Sequence, residues 1–194
     1  MILRKLLHPV ILLSAVAMLY TGCGRKNISF IYLPPHVAVF TGNEPVPDDG
    51  TASASAMYID VYIPTQDVGY VFNYLLPGNA AYALSLPEQR HIPLEQITDI
   101  CVRPLSAYNS RYAALDDMSA TCSFSVLQDQ SSTISKDSLL NYRNSFMDEG
   151  LYTRFRIWLN ESPSDISKQQ FIVELITTDD ARLADTTQTI TLKP

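Results

Sequence analysis

Histidine, the side chain best suited to acid–base and metal chemistry, is scarce in this sequence, and no residue lies in a known catalytic pattern. His36 and His91 have no second histidine two or four residues away, the usual spacing for two imidazole ligands of one metal ion. No Gly-x-Ser-x-Gly elbow, phosphate-binding loop or dinucleotide fingerprint occurs. We therefore predict no enzymatic activity, no cofactor and no metal site. A hydrolase that uses His36 or His91 beside a nucleophile is the weakest functional hypothesis.

Four pairs of acidic residues lie in segments that favour loops. They are Asp48-Asp49, Asp116-Asp117, Asp148-Glu149 and Asp179-Asp180. Loop carboxylates can bind Ca²⁺, but no pair shows the alternating Asp-x-Asp-x-Asp spacing of a calcium loop. Asp is also common in turns, because its side chain accepts hydrogen bonds from nearby backbone N–H groups. We prefer this structural interpretation, in which the pairs shape turns and keep the chain soluble.

Aromatic and arginine side chains on two predicted strands form the strongest candidate for a binding surface. On one strand, strict alternation places Tyr58 and Tyr62 opposite the apolar side chains. By the same alternation, Trp158 shares a face with Arg154 and Arg156. Rings of this kind can stack on sugars or on a protein partner. They also suit any pleated, half-buried sheet, and we prefer this structural interpretation to the hypothesis of a binding patch.

The elements that would carry these residues are short strands bounded by prolines and polar turns. Strands are predicted at residues 28–40 with a break at 34–35, and at residues 57–63, 68–76, 81–86, 97–103, 122–127, 151–159, 170–178 and 186–192. The last two are expected to form a hairpin across a polar turn at residues 179–185. Residues 41–54, rich in Gly, Pro, Asp and Ser, are predicted to form a long loop or linker.

Only one helix is predicted with clear signals at both ends. Ser135 or Asp137 can cap its start, and Gly150 lies just past its end. Nine short strands against one helix favour a mainly β fold. We predict an antiparallel β-sandwich of the immunoglobulin-like type, formed as a single domain by residues 28–194.

Cys101 and Cys122 raise a separate question of pairing. In an oxidising compartment an even number of cysteines favours a disulfide, which would stabilise the fold by roughly 3 kcal/mol in the chain-entropy model. Strand alternation opposes the bridge, because Cys101 points away from its apolar neighbours whereas Cys122 shares the face of Phe124. The sequence therefore does not decide between a disulfide and two unpaired thiols.

The first 23 residues have the features of an export signal that ends in a lipid-accepting cysteine. Arg4 and Lys5 precede an apolar run at residues 10–20, which is too short for a permanent membrane span. Two small residues then precede Cys23, whose thiol can accept a lipid. This segment resembles the signal and lipobox of bacterial lipoproteins, in the looser form common in Bacteroidetes, with Tyr20 in place of the usual aliphatic residue.

The resemblance implies a signal peptide at residues 1–22, acylation of Cys23 and a tether at residues 23–27. The acyl chains would hold the protein to a membrane, each buried methylene contributing about 0.8 kcal/mol. Arg25 and Lys26 lie where surface-displayed members of this class carry an acidic run, so we expect the periplasmic side of the outer membrane. Loss of the basic leader leaves a chain more acidic than the whole sequence, whose net charge is −6, which disfavours nucleic acid as a partner.

A second resemblance covers residues 23–194. The strand Ile-Thr-Asp-Ile-x-Val, a polar insert with tyrosines, and the closing segments Gln-Phe-Ile-Val and Thr-Thr-Gln-Thr-Ile-Thr-Leu are similar to a Bacteroidetes lipoprotein family of unknown function. That family implies no site residues. We expect a lipid-anchored, non-catalytic binding or scaffolding module for a glycan or an envelope protein. The alternative is a pilus-type or adhesin-type assembly subunit that adds a strand to a neighbour.

Overall fold

The computed structural model describes four stretches of the chain, residues 24–74, 89–126, 133–145 and 154–194. The predicted signal peptide and the lipidation site Cys23 lie outside the described residues. So does the strand predicted at residues 81–86.

The described residues form fourteen strands, one α-helix and one turn of 3-10 helix. In chain order the strands are β1 (Gly24–Tyr32), β2 (His36–Thr41), β3 (Glu44–Pro45), β4 (Gly50–Ser53), β5 (Met57–Tyr62), β6 (Thr65–Tyr74), β7 (Gln89–Pro93), β8 (Ile97–Pro104), β9 (Cys122–Val126), β10 (Arg154–Leu159), β11 (Ser167–Gln169), β12 (Phe171–Thr177), β13 (Arg182–Thr186) and β14 (Ile190–Lys193). The helix α1 is Lys136–Ser145, and the 3-10 turn is Ser119–Thr121. The prediction of a mainly β fold with one short helix is confirmed.

The chain divides into two compact units, and the smaller one contains a three-stranded sheet. Its described residues are 24–30, 67–74 and 89–92. The strand order is β6-β1-β7, so β1 occupies the centre of the sheet. Ile28 and Phe30 of β1 are buried, whereas Val68 of β6 is exposed. The strands predicted from residues 28 and 68 are confirmed as β1 and β6, but β1 begins at Gly24, so residues 24–27 of the predicted tether belong to a strand.

The second unit contains the remaining described residues, with three sheets and α1. The strand orders are β3-β2-β5-β10-β9, β13-β12-β8 and β11-β14-β4. Within these sheets every pairing is antiparallel except that of β14 with β4, which is parallel. The arrangement is sandwich-like, in agreement with the predicted fold class.

One row of apolar side chains crosses four strands of the five-stranded sheet and is completely buried. By strand register it consists of Val39 on β2, Ile59 on β5, Ile157 on β10 and Phe124 on β9. Burial of a large aliphatic or aromatic side chain contributes about 1.5–3 kcal/mol. Neighbours on each strand point to the opposite side of the sheet, so this row determines which residues form the other face.

The hairpin predicted between residues 170–178 and 186–192 is wrong in its second strand. β12 pairs with β13, which begins at Arg182. The connection is short: Asp180 N donates to the Thr177 carbonyl, and Thr177 N donates to the Ala181 carbonyl. Asp180 has φ of 63°, a left-handed conformation that Asp adopts more readily than most residues. A polar segment therefore turns tightly and continues as a strand.

The long loop predicted at residues 41–54 is also wrong, because two short strands lie within it. β3 forms a tight hairpin with β2, and Gly42 in the turn has φ of 63°. β4 pairs in parallel with β14, from a distant part of the sequence. Within β4 the buried side chain is the small Ala52, so the strand leaves no apolar pattern in the sequence.

The helix α1 begins where the sequence predicts. Ser135 caps it, since its Oγ accepts a hydrogen bond from Ser138 N at 3.2 Å. Leu139 is completely buried. The predicted end near Gly150 lies outside the described residues. Within the part of the chain that the structure describes, no helix is long and apolar enough to cross a lipid bilayer.

The edge of β8 that faces away from β12 is closed by hydrogen bonds from the segment before the 3-10 turn. Asp117 accepts from Val102 N at 3.1 Å and from Ser119 N at 3.0 Å, and Met118 N donates to the Val102 carbonyl at 2.9 Å. Burial alone would raise the pKa of Asp117. The N–H bonds from Ser119 and Val102, the Ser119 hydroxyl and the charge of Lys136 outweigh it, so the pKa is lowered.

Replacing Asp117 with Asn should lower the free energy of unfolding at neutral pH by about 1 kcal/mol, because an amide oxygen is a weaker acceptor than a carboxylate. The stabilisation from ionised Asp117 is fully present above the unfolded pKa of about 3.9 and is lost as the pH falls through the lower folded pKa. Denaturant unfolding at a series of acidic pH values should therefore show a shallower loss in the variant. Asp165→Asn, at an exposed carboxylate, is the matched control. Identical pH dependence in wild type and Asp117→Asn would contradict the assignment.

Candidate binding face

Three neighbouring strands of the five-stranded sheet carry a layer of aromatic and charged side chains opposite the buried apolar row. We call this layer the aromatic face; it consists of His36, Ala38 and Phe40 on β2, Tyr58, Asp60 and Tyr62 on β5, and Arg154, Arg156 and Trp158 on β10. Strand register aligns Tyr62 with His36 and Arg154, and Asp60 with Ala38 and Arg156. All five residues of the hypothetical binding patch, Tyr58, Tyr62, Arg154, Arg156 and Trp158, therefore lie in one layer.

Tyr58 is at the centre of a closely packed aromatic cluster. Its ring stacks on Phe40 with centroids 5.6 Å apart, and the ring of Trp158 lies 4.9 Å away at a tilt. The Arg156 guanidinium sits 4.4 Å from the Tyr58 centroid, within cation–π range. The Tyr58 hydroxyl donates to the Gly42 carbonyl at 2.8 Å. Only 3% of Tyr58 is exposed, so this residue supports the face and has almost no surface for a ligand.

Asp60 is a buried carboxylate flanked by two arginines. Its Oδ2 accepts from Arg154 Nε at 2.8 Å and is 2.7 Å from Arg154 Nη2. Its Oδ1 lies 3.9 Å from Arg156 Nε, which is too far for a hydrogen bond. Both of these atoms are buried without a hydrogen-bond partner. Two guanidinium groups therefore surround one carboxylate, and the pairing between Asp60 and Arg156 is incomplete.

A depression of about 420 Å³ opens over Ala38. It is lined by His36, Val37, Ala38, Phe40, Asp60, Tyr62 and Arg154. Ala38 has the smallest side chain on the face, and its neighbours on alternate positions of β2 are the rings of His36 and Phe40. The Tyr62 ring is stacked nearly parallel to His36, with centroids 6.3 Å apart, and 45% of Tyr62 is exposed. The depression thus combines an open aromatic surface with an ion pair.

The sequence alone does not single out three residues of this face. By its residue type His36 is a candidate only for catalysis, and the local sequence gives no binding signal for Ala38 or Phe40. The available signal is the alternation of β2, where Val37 and Val39 point to the buried side. Reading that alternation together with β5 and β10 would have placed Ala38 and Phe40 on the same face.

The other candidates for chemistry do not form a site of their own. His36 belongs to the aromatic face, whereas His91 lies on β7 in the smaller unit. Among the described residues, no group of three or more His, Cys, Asp and Glu side chains could hold a metal ion. The acidic pairs that the structure describes act in turns and loops, for example Asp48, whose carboxylate accepts from Thr189 N.

Ser119 and Lys136 form a pair that superficially resembles a serine–lysine dyad. Lys136 Nζ donates to Ser119 Oγ at 3.2 Å, and the Ser119 hydroxyl donates to Asp117. Burial alone would lower the pKa of Lys136, but the Asp99 carboxylate 2.8 Å away raises it above its ordinary value. A lysine held in the charged form cannot take a proton from serine, and Ser119 is 1% exposed. The pair is structural.

Cys101 and Cys122, whose pairing the sequence leaves open, are free thiols in this structure, and both are buried. Burial, together with the Asp117 and Asp99 carboxylates, raises the pKa of Cys101 to about 11. Burial, with a smaller effect of Asp117, raises the pKa of Cys122 to about 12. Neither thiol ionises appreciably at neutral pH, so both are poor nucleophiles.

Comparison with known proteins gives no relative from which a function could be transferred: no family model, curated protein or solved structure matches the chain. The functional conclusion therefore depends on the geometry of the aromatic face.

Alkylation of the native protein by iodoacetamide at neutral pH should leave Cys101 and Cys122 unmodified, because both thiols are buried and their pKa values are raised. After unfolding without reductant, both should be alkylated, and peptide mass spectrometry would locate the label. Unfolding with reductant is the control that gives the full labelling. Labelling that requires reductant would reveal a disulfide and contradict the free thiols.

Proposed function

We propose that this chain is a non-catalytic binding protein of the bacterial cell envelope, held at a membrane by lipid on Cys23, and that its aromatic face binds a carbohydrate. The observation that carries the proposal is the depression over Ala38, where the exposed ring of Tyr62 adjoins the Asp60–Arg154 ion pair. An aromatic ring offers a flat apolar surface to the C–H groups of a sugar. The Arg154 guanidinium beside it is 46% exposed and offers N–H donors to sugar hydroxyls.

The size of the depression supports a small ligand. Its volume of about 420 Å³ lies within the range of about 300–1,000 Å³ that is typical of small-molecule sites. Stable protein–protein interfaces bury about 800 Å² on each partner, which is more than a local depression provides. A sugar or a short glycan therefore fits this part of the face better than a protein does.

The construction of the face supports binding without large rearrangement. The Phe40, Tyr58 and Trp158 rings are packed together and Arg156 covers Tyr58, so the floor beside the depression is already formed. Arg154 is held by two contacts to Asp60. A prearranged site loses less conformational entropy when a ligand binds.

The alternative of a strand-adding assembly subunit is less well supported. Along β2, beyond its short hairpin with β3, side chains occupy the backbone groups that a donated strand would need. The Gln188 amide accepts from Val39 N at 3.1 Å and donates to the Val39 carbonyl at 3.1 Å, and Asp185 accepts from Val37 N at 3.1 Å. The edge of β8 is similarly closed by Asp117. Such blocking is a common means of preventing edge-to-edge pairing.

The anchor is the second part of the proposal. Acylated Cys23 would follow directly from the lipobox-like segment, and Arg25 and Lys26 support an orientation toward the periplasm. Because β1 begins at Gly24, the residue after Cys23, the lipid would hold the chain close to the membrane surface. Glycans of the envelope would then be available at a high local concentration.

Replacement of Cys23 with Ala should move the protein from the detergent-rich to the aqueous phase in a detergent phase-separation assay, because acyl chains supply the membrane affinity. Cys122→Ala is the matched control, and it should stay in the detergent-rich phase. A wild-type protein that partitions into the aqueous phase, with an intact mass that lacks a lipid, would contradict the anchor.

Replacement of Ala38 with Met should fill the depression and weaken carbohydrate binding at least about tenfold, which corresponds to about 1.4 kcal/mol. Glycan-array screening followed by isothermal titration of the retained glycans would measure the effect. Ala184→Met, at an exposed position of β13, is the matched control, and it should bind like the wild type.

Tyr62→Ala tests the same site from its aromatic side and should also weaken binding, through loss of about 0.5–1.5 kcal/mol of ring stacking. If the wild type retains no glycan on the array, the carbohydrate proposal is wrong. Equal binding by wild type and Ala38→Met would place the carbohydrate site elsewhere on the molecule.

A further inference from the structure

We infer that the carbohydrate bound by the aromatic face is acidic, with a sugar carboxylate placed against Arg154; this inference rests on the proposed function and specifies its ligand class. The aromatic face contains three ionised side chains in contact with one another. Arg154 and Arg156 contribute two positive charges, and Asp60 contributes one negative charge. The ion-paired cluster therefore carries a net positive charge next to the depression.

The negative charge of the rest of the protein makes the positively charged aromatic face stand out as a site for anions. The protein is acidic overall, with a net charge of −6, so its surface repels anions in general. The neighbouring strand β13, which packs against β2, carries Arg182, paired with Glu174, and the Asp185 carboxylate. The Asp185 carboxylate accepts hydrogen bonds from Val37 N and Thr186 N at the strand edge, so each of its two oxygens already has a hydrogen-bond donor. An anion would be attracted to the arginines rather than to the surface as a whole.

The Arg154 guanidinium is held in a fixed orientation by Asp60 before any anion binds. Nε and Nη2 both contact the same oxygen of Asp60, which leaves Nη1 outside the ion pair. The side chain is 46% exposed and lines the depression. A guanidinium with a fixed plane can present parallel N–H groups to a carboxylate, and such charge-assisted bonds are roughly twice as strong as neutral ones.

Arg156 adds to the attraction without contacting the ligand directly. It is largely buried over the Tyr58 ring, and its Nε has no hydrogen-bond partner because Asp60 Oδ1 is 3.9 Å away. Its charge is therefore only partly compensated, in a region where water screens less than in bulk. A neutral sugar would leave the positive charge of Arg156 only partly compensated. A carboxylate at Arg154 would partly neutralise it, and this difference favours an acidic ligand.

The test compares one pair of probes, a tetrasaccharide of galacturonic acid and the same tetrasaccharide after reduction of its carboxyl groups. Isothermal titration with the whole chain should give at least about tenfold tighter binding of the acidic probe, and added salt should reduce this preference. Arg154→Gln should remove the preference, because the affinity for the acidic probe should fall by at least about tenfold more than the affinity for the reduced probe. Arg154→Lys, which keeps the charge, should retain part of the preference. Thermal unfolding of each variant would show that it is folded.

The outcomes separate this inference from the proposed function. If wild type binds both probes equally and Ala38→Met abolishes both, the site binds carbohydrate and the inference of an acidic ligand is wrong. If the acidic preference persists in Arg154→Gln, the carboxylate is recognised elsewhere, and the assignment of Arg154 is overturned. If wild type binds neither probe, both the inference and the proposed carbohydrate site fail for this ligand class.

Discussion

The buried row of Val39, Ile59, Ile157 and Phe124 is the constraint on which the candidate site depends. Because side chains alternate along a strand, burial of this row forces the intervening residues of β2, β5 and β10 onto the opposite face. A slip of one residue in any of these pairings would turn the apolar set outward and the arginines inward, at a cost of several kcal/mol. The register that stabilises the core is thus the same register that aligns Tyr62 with Arg154 and His36.

The aromatic face also shows why charged residues can occupy the middle of a sheet. Asp60 is 6% exposed, and an isolated carboxylate in that position would be strongly destabilising. Arg154 compensates it with two close contacts, whereas Arg156 is stabilised mainly by the Tyr58 ring. The pairing is incomplete, because the buried atoms Asp60 Oδ1 and Arg156 Nε lack hydrogen bonds, and an unpaired buried polar atom lowers stability. Local violations of pairing and packing rules are commonly found at functional sites.

The extent to which the fold could be predicted from the sequence depends on where the apolar residues fall. β5 and β10 alternate strictly, so both their strand character and the five residues of the patch follow from local pattern. β4 and β13 could not be found in this way, because one buries little beyond Ala52 and the other is mostly exposed. Their positions depend on pairing with β14 and β12, which is a property of the assembled sheets. The depression could not be predicted from the sequence either, because it forms where the small side chain of Ala38 lies between larger ones.

The same distinction applies to the chemistry of the face. The alternation along β5 and β10 indicates that Tyr62 and Arg154 share a surface. The ligand that this surface could bind depends, however, on which of its side chains already contact one another. Tyr58 belongs to the predicted patch, yet it supports the face, because it is covered by Phe40, Trp158 and Arg156. The surface left for recognition is therefore smaller and more charged than the aromatic composition implied. That reduction favours, as the proposed ligand, one that offers both a ring face and a negative charge over any flat apolar partner.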